Sequence, residues 1–95
     1  MYNLSDNKVS EIAVVADRYN IKKIVLFGSR AKGTNSKTSD IDLAVYGGNA
    51  AMFSLDIEEE VRTLLMFDVV DMNRVVSAEL RSEIEKYGVV IYEKI

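Results

Sequence analysis

Residues 26–45 read LFGSRAKGTNSKTSDIDLAV, and the way this stretch divides decides the fold. It opens on the end of a β-branched apolar run, residues 21–27 (IKKIVLF), which has the length and composition of a buried strand. Gly28 stops the run. Residues 28–39 (GSRAKGTNSKTS) are rich in Gly, Ser, Thr and Asn, so they predict a loop with room for one helical turn over residues 29–32. Residues 40–46 (DIDLAVY) then alternate as a second strand. About ten loop residues separate the two strands, too few for a parallel crossover, so an antiparallel or mixed pairing is expected.

Upstream, Val9, Ile12, Ala13, Ala16 and Tyr19 recur at spacings of three and four, which predicts an amphipathic helix capped by Ser5 or Asp6. Downstream, Gly47 and Gly48 close the second strand. Ser54 is placed to cap a helix carrying Ile57, Val61, Leu64 and Leu65, with Glu58, Glu59 and Glu60 in its first turns, where the helix dipole favours anions. Residues 67–72 (FDVVDM) predict a third strand, Ser77 caps a last helix bearing Leu80, Ile84 and Tyr87, and residues 89–92 predict a fourth strand. The fold class expected is α+β: a two-layer α/β sandwich in which a mixed sheet carries helices mainly on one face, formed by one domain spanning residues 1–95.

Composition narrows the chemistry. The 95 residues contain no cysteine and no histidine, so thiolate nucleophiles, imidazole bases and Cys- or His-ligated metals are excluded. Catalysis is left to carboxylates, hydroxyls, amines or a hard cation. Twelve Lys and Arg against 15 Asp and Glu give a net charge of −3, which offers no bulk attraction to a long nucleic acid. The first ten residues lack a basic start with an apolar run, and no stretch approaches the ~20 apolar residues of a membrane span, so a cytoplasmic location with no membrane association is expected. A chain of this size buries about 65% of its unfolded surface, enough for one core and no second domain to close over a substrate.

Asp40 and Asp42 stand two apart on the predicted second strand, so both carboxylates leave one face while Ile41, Leu43 and Val45 leave the other. Taken alone, such a pair is most often a solvated strand edge; the other remedies for two adjacent anions are a bound cation or a proton. The upstream turn alters that balance. Gly28 and Gly33 bracket Ser29, Arg30, Ala31 and Lys32 directly after an apolar strand, a setting that aims backbone N–H groups, a hydroxyl and a cation at one point, as a polyphosphate requires. A P-loop is ruled out because Lys32 precedes Gly33, whereas that motif needs Lys and then Ser or Thr after its last glycine. Glu58–Glu60 reads as a solvated helix start, Lys22 and Lys23 as surface flanks of the first strand, and Tyr2, Tyr46, Tyr87 and Tyr92 as core or rim residues.

On the Gly28-Ser29 turn and the Asp40-Ile41-Asp42 strand, the chain resembles the nucleotidyltransferase signature of the DNA polymerase β-like superfamily. Over nearly its whole length it is similar to the minimal nucleotidyltransferase family, small domains often encoded beside a HEPN-domain partner. The resemblance implies that Asp40, Asp42 and a third carboxylate hold two Mg²⁺ ions, and that Gly28, Ser29 and Lys32 hold the phosphates of ATP. Family members place the third carboxylate in a short hydrophobic-Asp-hydrophobic strand. Asp68 between Phe67 and Val69 fits that pattern, and Asp71 between Val70 and Met72 remains the alternative on the opposite face. Lys32 stands where many relatives carry Arg, which keeps the charge and loses the bidentate fork. Arg30 is open between reaching phosphate and pairing with a carboxylate to brace the turn.

The function implied is Mg²⁺-dependent transfer of AMP from ATP to a hydroxyl, as an antitoxin AMPylating a HEPN toxin with which it forms a hetero-oligomer. Two alternatives stand beside it. One is a non-catalytic antitoxin acting by stoichiometric contact; the other is transfer to a small molecule or an RNA end, weakened by the lack of a second domain and by the net acidity.

Overall fold

The computed structural model describes residues 2–61 and 63–95. Among the described residues four strands and four helices alternate: α1 (Asp6–Arg18), β1 (Lys23–Phe27), α2 (Ser29–Lys32), β2 (Ile41–Tyr46), α3 (Ala50–Glu60), β3 (Phe67–Asp71), α4 (Ala78–Tyr87) and β4 (Val89–Glu93). The strands form one mixed sheet in the order β3-β2-β1-β4. β1 pairs antiparallel with both β2 and β4, as the short connection after Phe27 requires, while β2 and β3 run parallel, with α3 as the crossover between them.

Alternation along the strands sorts the core into two layers. Ile24, Leu26, Ile41, Leu43, Val45 and Phe67 pack against Ile12, Val15 and Ala16 of α1 and Ala50, Phe53 and Ile57 of α3. Val25, Phe27 and Ala44 leave the other face and meet Ile84 of α4, with Met72 beside them. The fold is therefore α+β, with α1 and α3 on one face and α4 on the other. β1 reads as a continuous apolar run because both of its faces are covered.

Helix starts follow side-chain caps. Ser5 Oγ accepts the Lys8 N–H at 3.3 Å and Ser77 Oγ accepts the Leu80 N–H at 3.2 Å, both as the sequence predicts. α3 departs from expectation. Its cap is Asn49, whose Oδ1 accepts the Met52 N–H at 3.2 Å, and Ser54 lies inside the helix. The cause is tertiary: Gly48 sits at φ +64° against the backbone of Tyr19 and Asn20, where a side chain has no room, and the Asn49 N–H donates to the Tyr19 carbonyl at 3.0 Å. The helix starts where that contact releases the chain.

Glu58, Glu59 and Glu60 consequently close α3 instead of opening it, at the end where the dipole disfavours anions. Arg18 at the end of α1 compensates, with Nη1 3.1 Å from both Asp56 and Glu60. Tyr19 also donates its hydroxyl to Asp56. Leu64 and Leu65 lie between α3 and β3, Leu64 fully exposed and Leu65 against the core; Arg62, which the expected longer helix would have included, lies outside the described residues. Among the described residues no helix is long and apolar enough to cross a membrane.

Candidate active site

The site is built at the end of β1, where the chain leaves the sheet through Gly28. Phe27 is the register partner of Asp42 on β2, and Asp42 is in turn the register partner of Asp68 on β3. Asp42 shares a face with Ala44, and Asp68 shares it with Val70, the face that α4 covers further along. Gly28 adopts φ 74°, ψ −155°, a conformation open to glycine, and a Cβ on it would run into the Asp42 carboxylate. The glycine of the turn and the second aspartate of the pair are thus one contact: the missing side chain is the space that the carboxylate fills.

Asp40 lies one residue ahead of β2, whose first residue, Ile41, donates its N–H to the Met66 carbonyl at 2.9 Å. Asp40 and Asp68 are exposed and Asp42 is half-buried. Burial pushes the Asp42 carboxyl up to about 6, and the charges of Asp68 and Asp40 and a hydrogen bond with Asp68 push the same way. Asp42 therefore stands in the field of both other carboxylates, a like-charge setting that a hard cation would offset. Among the described residues no group of three or more His, Cys, Asp and Glu side chains is gathered closely enough to hold a metal ion. An all-oxygen set of this kind suits Mg²⁺, which keeps several waters and takes further ligands from substrate phosphates.

Asp71 is placed elsewhere. Three residues beyond Asp68, it leaves the opposite face, and its Oδ1 accepts from the backbone and side-chain N–H groups of Asn73, both at 2.9 Å. Its Oδ2 lies 3.5 Å from Arg74 Nε. Its carboxylate closes the turn after β3.

Ser29 is half-buried in the first position of α2, a single turn held by Lys32 N–H to the Gly28 carbonyl at 3.3 Å and Thr34 N–H to the Ser29 carbonyl at 3.0 Å. Gly33 ends it at φ 77°. Arg30 hydrogen-bonds backbone oxygens and not the carboxylate that one of its two expected roles required. Its guanidinium is buried and donates to three backbone carbonyls, those of Ser39, Asn3 and Lys37. Lys32 leans toward α4, with Nζ 2.7 Å from Glu83 and 4.6 Å from the centre of the Tyr87 ring. Glu83 beside it holds the Lys32 ammonium above its ordinary value.

Sequence reasoning missed Glu83 and assigned Tyr87 to the core or rim. Their spacing of four on α4 marks a shared helix face, and only the packing of that face beside α2 gives it meaning. The cavity of about 500 Å³ lined by Lys22, Lys23, Tyr46, Glu93, Lys94 and Ile95 lies at the other end of β1. Asp40 and Asp68, by contrast, are exposed at the opposite end of the sheet.

No curated protein matches the chain. Solved structures do. A structure described as a toxin–antitoxin with AMP-PNP superposes with a TM-score of 0.73 at 21% identity, covering 90% of this chain and 73% of that one. An MntA–HpeT toxin–antitoxin mutant with two aspartate-to-glutamate changes gives 0.71 at 21% identity, covering 96% and 75%. A tyrosine-to-alanine mutant of MntA–HpeT gives 0.67 at 22% identity, covering 97% and 75%. At such identities the likeness establishes the fold. Residues 7–95 match the family model for polymerase beta nucleotidyltransferases, and with almost the whole chain matched, the protein belongs to that nucleotidyltransferase family.

Proposed function

We propose that the protein is the antitoxin of a toxin–antitoxin pair and acts as a Mg²⁺-dependent protein adenylyltransferase, moving AMP from ATP to a hydroxyl of a HEPN-domain toxin. The observation that carries the reading is the register of Asp42 with Asp68, with Asp42 pressed against the Gly28 turn and Asp40 close by. The toxin–antitoxin neighbours, one described with AMP-PNP, support the choice of partner class and of nucleotide.

Asp40, Asp42 and Asp68 would hold two Mg²⁺ ions, which supply charge neutralisation and activation for an in-line displacement at the α-phosphorus. The remaining work falls to the chain. Gly28 leaves room for the Asp42 carboxylate against the turn, Ser29 would donate its hydroxyl to a phosphate oxygen, and Lys32 would turn from Glu83 to the leaving pyrophosphate. Asp68, which is exposed, would accept the proton of the incoming hydroxyl. The new bond joins the acceptor oxygen to the α-phosphorus as the bond to pyrophosphate breaks.

The test is to incubate the chain and the product of its neighbouring gene with labelled ATP, CTP, GTP and UTP and Mg²⁺, and to locate the label by mass. Label from ATP on a partner hydroxyl, with a substoichiometric amount of chain silencing an excess of toxin, is the expected outcome. Neutralisation that needs one chain per toxin, proceeds without ATP and survives Asp68→Asn would establish a binding antitoxin instead.

A further inference from the structure

Arg30 is 6% exposed, yet its guanidinium faces no carboxylate among its hydrogen-bond partners. Nε donates to the Ser39 carbonyl at 3.1 Å, Nη2 to the Lys37 carbonyl at 3.3 Å and Nη1 to the Asn3 carbonyl at 3.2 Å. The Asn3 N–H returns a bond to the Arg30 carbonyl at 2.8 Å. A buried cation is costly, and three directed carbonyl dipoles offset that cost only in the fork geometry of a guanidinium. The three acceptors come from two segments with no regular structure of their own, residues 2–5 and residues 33–40.

We propose that Arg30 is a positioning residue: by holding the carbonyls of Lys37 and Ser39 it fixes the loop whose next residue is Asp40 and so keeps Asp40 beside Asp42 in the Asp40, Asp42 and Asp68 set. The inference rests on reading those carboxylates as the cation-holding set. Left to itself, Asp40 would swing outward, because it sits outside the strand ladder, on a polar loop, and is repelled by the like-charged Asp42. Arg30 counters this through backbone oxygens, so the carboxylate oxygens of the site remain available to a cation. A pairing with Asp40 itself would have used them up.

The test uses Mn²⁺ as the probe, read by electron paramagnetic resonance, with amide hydrogen exchange as the second measurement. Lysine keeps the charge and lacks the fork, so Arg30→Lys should weaken Mn²⁺ binding about 10-fold, within the range for residues that orient metal ligands. In an Asp40→Asn background the same change should leave the remaining Mn²⁺ affinity unaltered, while any loss of thermal stability should be equal in both backgrounds. Amide exchange in Arg30→Lys should accelerate at Ser36, Ser39 and Ile41 and stay unchanged in the core of β1. Equal weakening of Mn²⁺ binding with and without Asp40, or unchanged binding in Arg30→Lys, would overturn the proposal. If the wild-type protein binds no Mn²⁺, the reading of the carboxylates fails, and exchange alone decides the clamp: selective acceleration of that loop sustains it and unchanged exchange removes it.

Discussion

Asp42 and Asp68 are register partners across the parallel β2–β3 ladder, and burial of Asp42, together with the charges of Asp68 and Asp40, pushes the Asp42 carboxyl up to about 6. Two carboxylates directly opposite each other in a sheet destabilise it unless something neutralises them. The arrangement therefore costs the apoprotein stability that a bound cation would return.

Asp42→Asn should abolish transfer and leave the fold intact, with a melting temperature in chelator equal to or above that of the wild type. The sign follows from the raised pKa. The carboxyl ionises near 3.8 when unfolded and near 6 when folded, so folding is free of the penalty below about 4 and carries all of it above about 6. In chelator the variant's advantage should grow as pH rises through that window and then level off, a trend thermal unfolding at several pH values would reveal. Mg²⁺ should raise the wild-type melting temperature and leave that of the variant nearly unchanged.

Gly28→Ala should lower stability by about 1–3 kcal/mol, because alanine resists the backbone conformation at this position, and should also impair transfer, because its methyl group displaces the Asp42 carboxylate. Denaturant unfolding and a transfer assay on the refolded variant separate the two effects. A stability loss with normal turnover would mean that the contact between Gly28 and Asp42 serves folding alone.

Ser29→Ala should reduce nucleotide use about 10–100-fold, the equivalent of one charge-assisted hydrogen bond of about 1.5–3 kcal/mol, with thermal stability unchanged. Calorimetric titration with a non-hydrolysable ATP analogue is the measurement. Normal affinity in an unstable protein would make Ser29 a structural residue.

Glu83→Gln should release Lys32 for phosphate and tighten triphosphate binding a few-fold. The Lys32–Glu83 pair is more than a third exposed on both sides, so its loss should leave the melting temperature nearly unchanged. Weaker binding in this variant would mean that Glu83 orients Lys32 toward the nucleotide instead of competing for it.

Asn49→Ala should cost about 0.5–2 kcal/mol through loss of the α3 cap, whereas Ser54→Ala should stay within about 0.5 kcal/mol. Urea unfolding of the two variants side by side distinguishes them, and the reverse order would contradict the observed start of α3.

Local chemistry was legible in the sequence because it acts over a few residues. Ser5 and Ser77 announce their helices by hydrogen bonds to their own third neighbours, the apolar run to Phe27 announces a strand buried on both faces, and the GSRAKG turn followed by DID carries the family signature. Alternation also put Asp68 and Asp71 on opposite faces. It could not say which of those faces Asp42 shares, because that depends on the parallel register across an α3 crossover. Where α3 begins was decided by the contact of Gly48 with the Tyr19–Asn20 turn, some thirty residues away in sequence. One partner of Arg30, Asn3, and the partners of Lys32, Glu83 and Tyr87 of α4, were likewise set by segments distant in the chain. A single sequence states which side chains can bond, and the tertiary structure decides which of them do, because long-range pairing depends on the summed packing of every strand and helix between them.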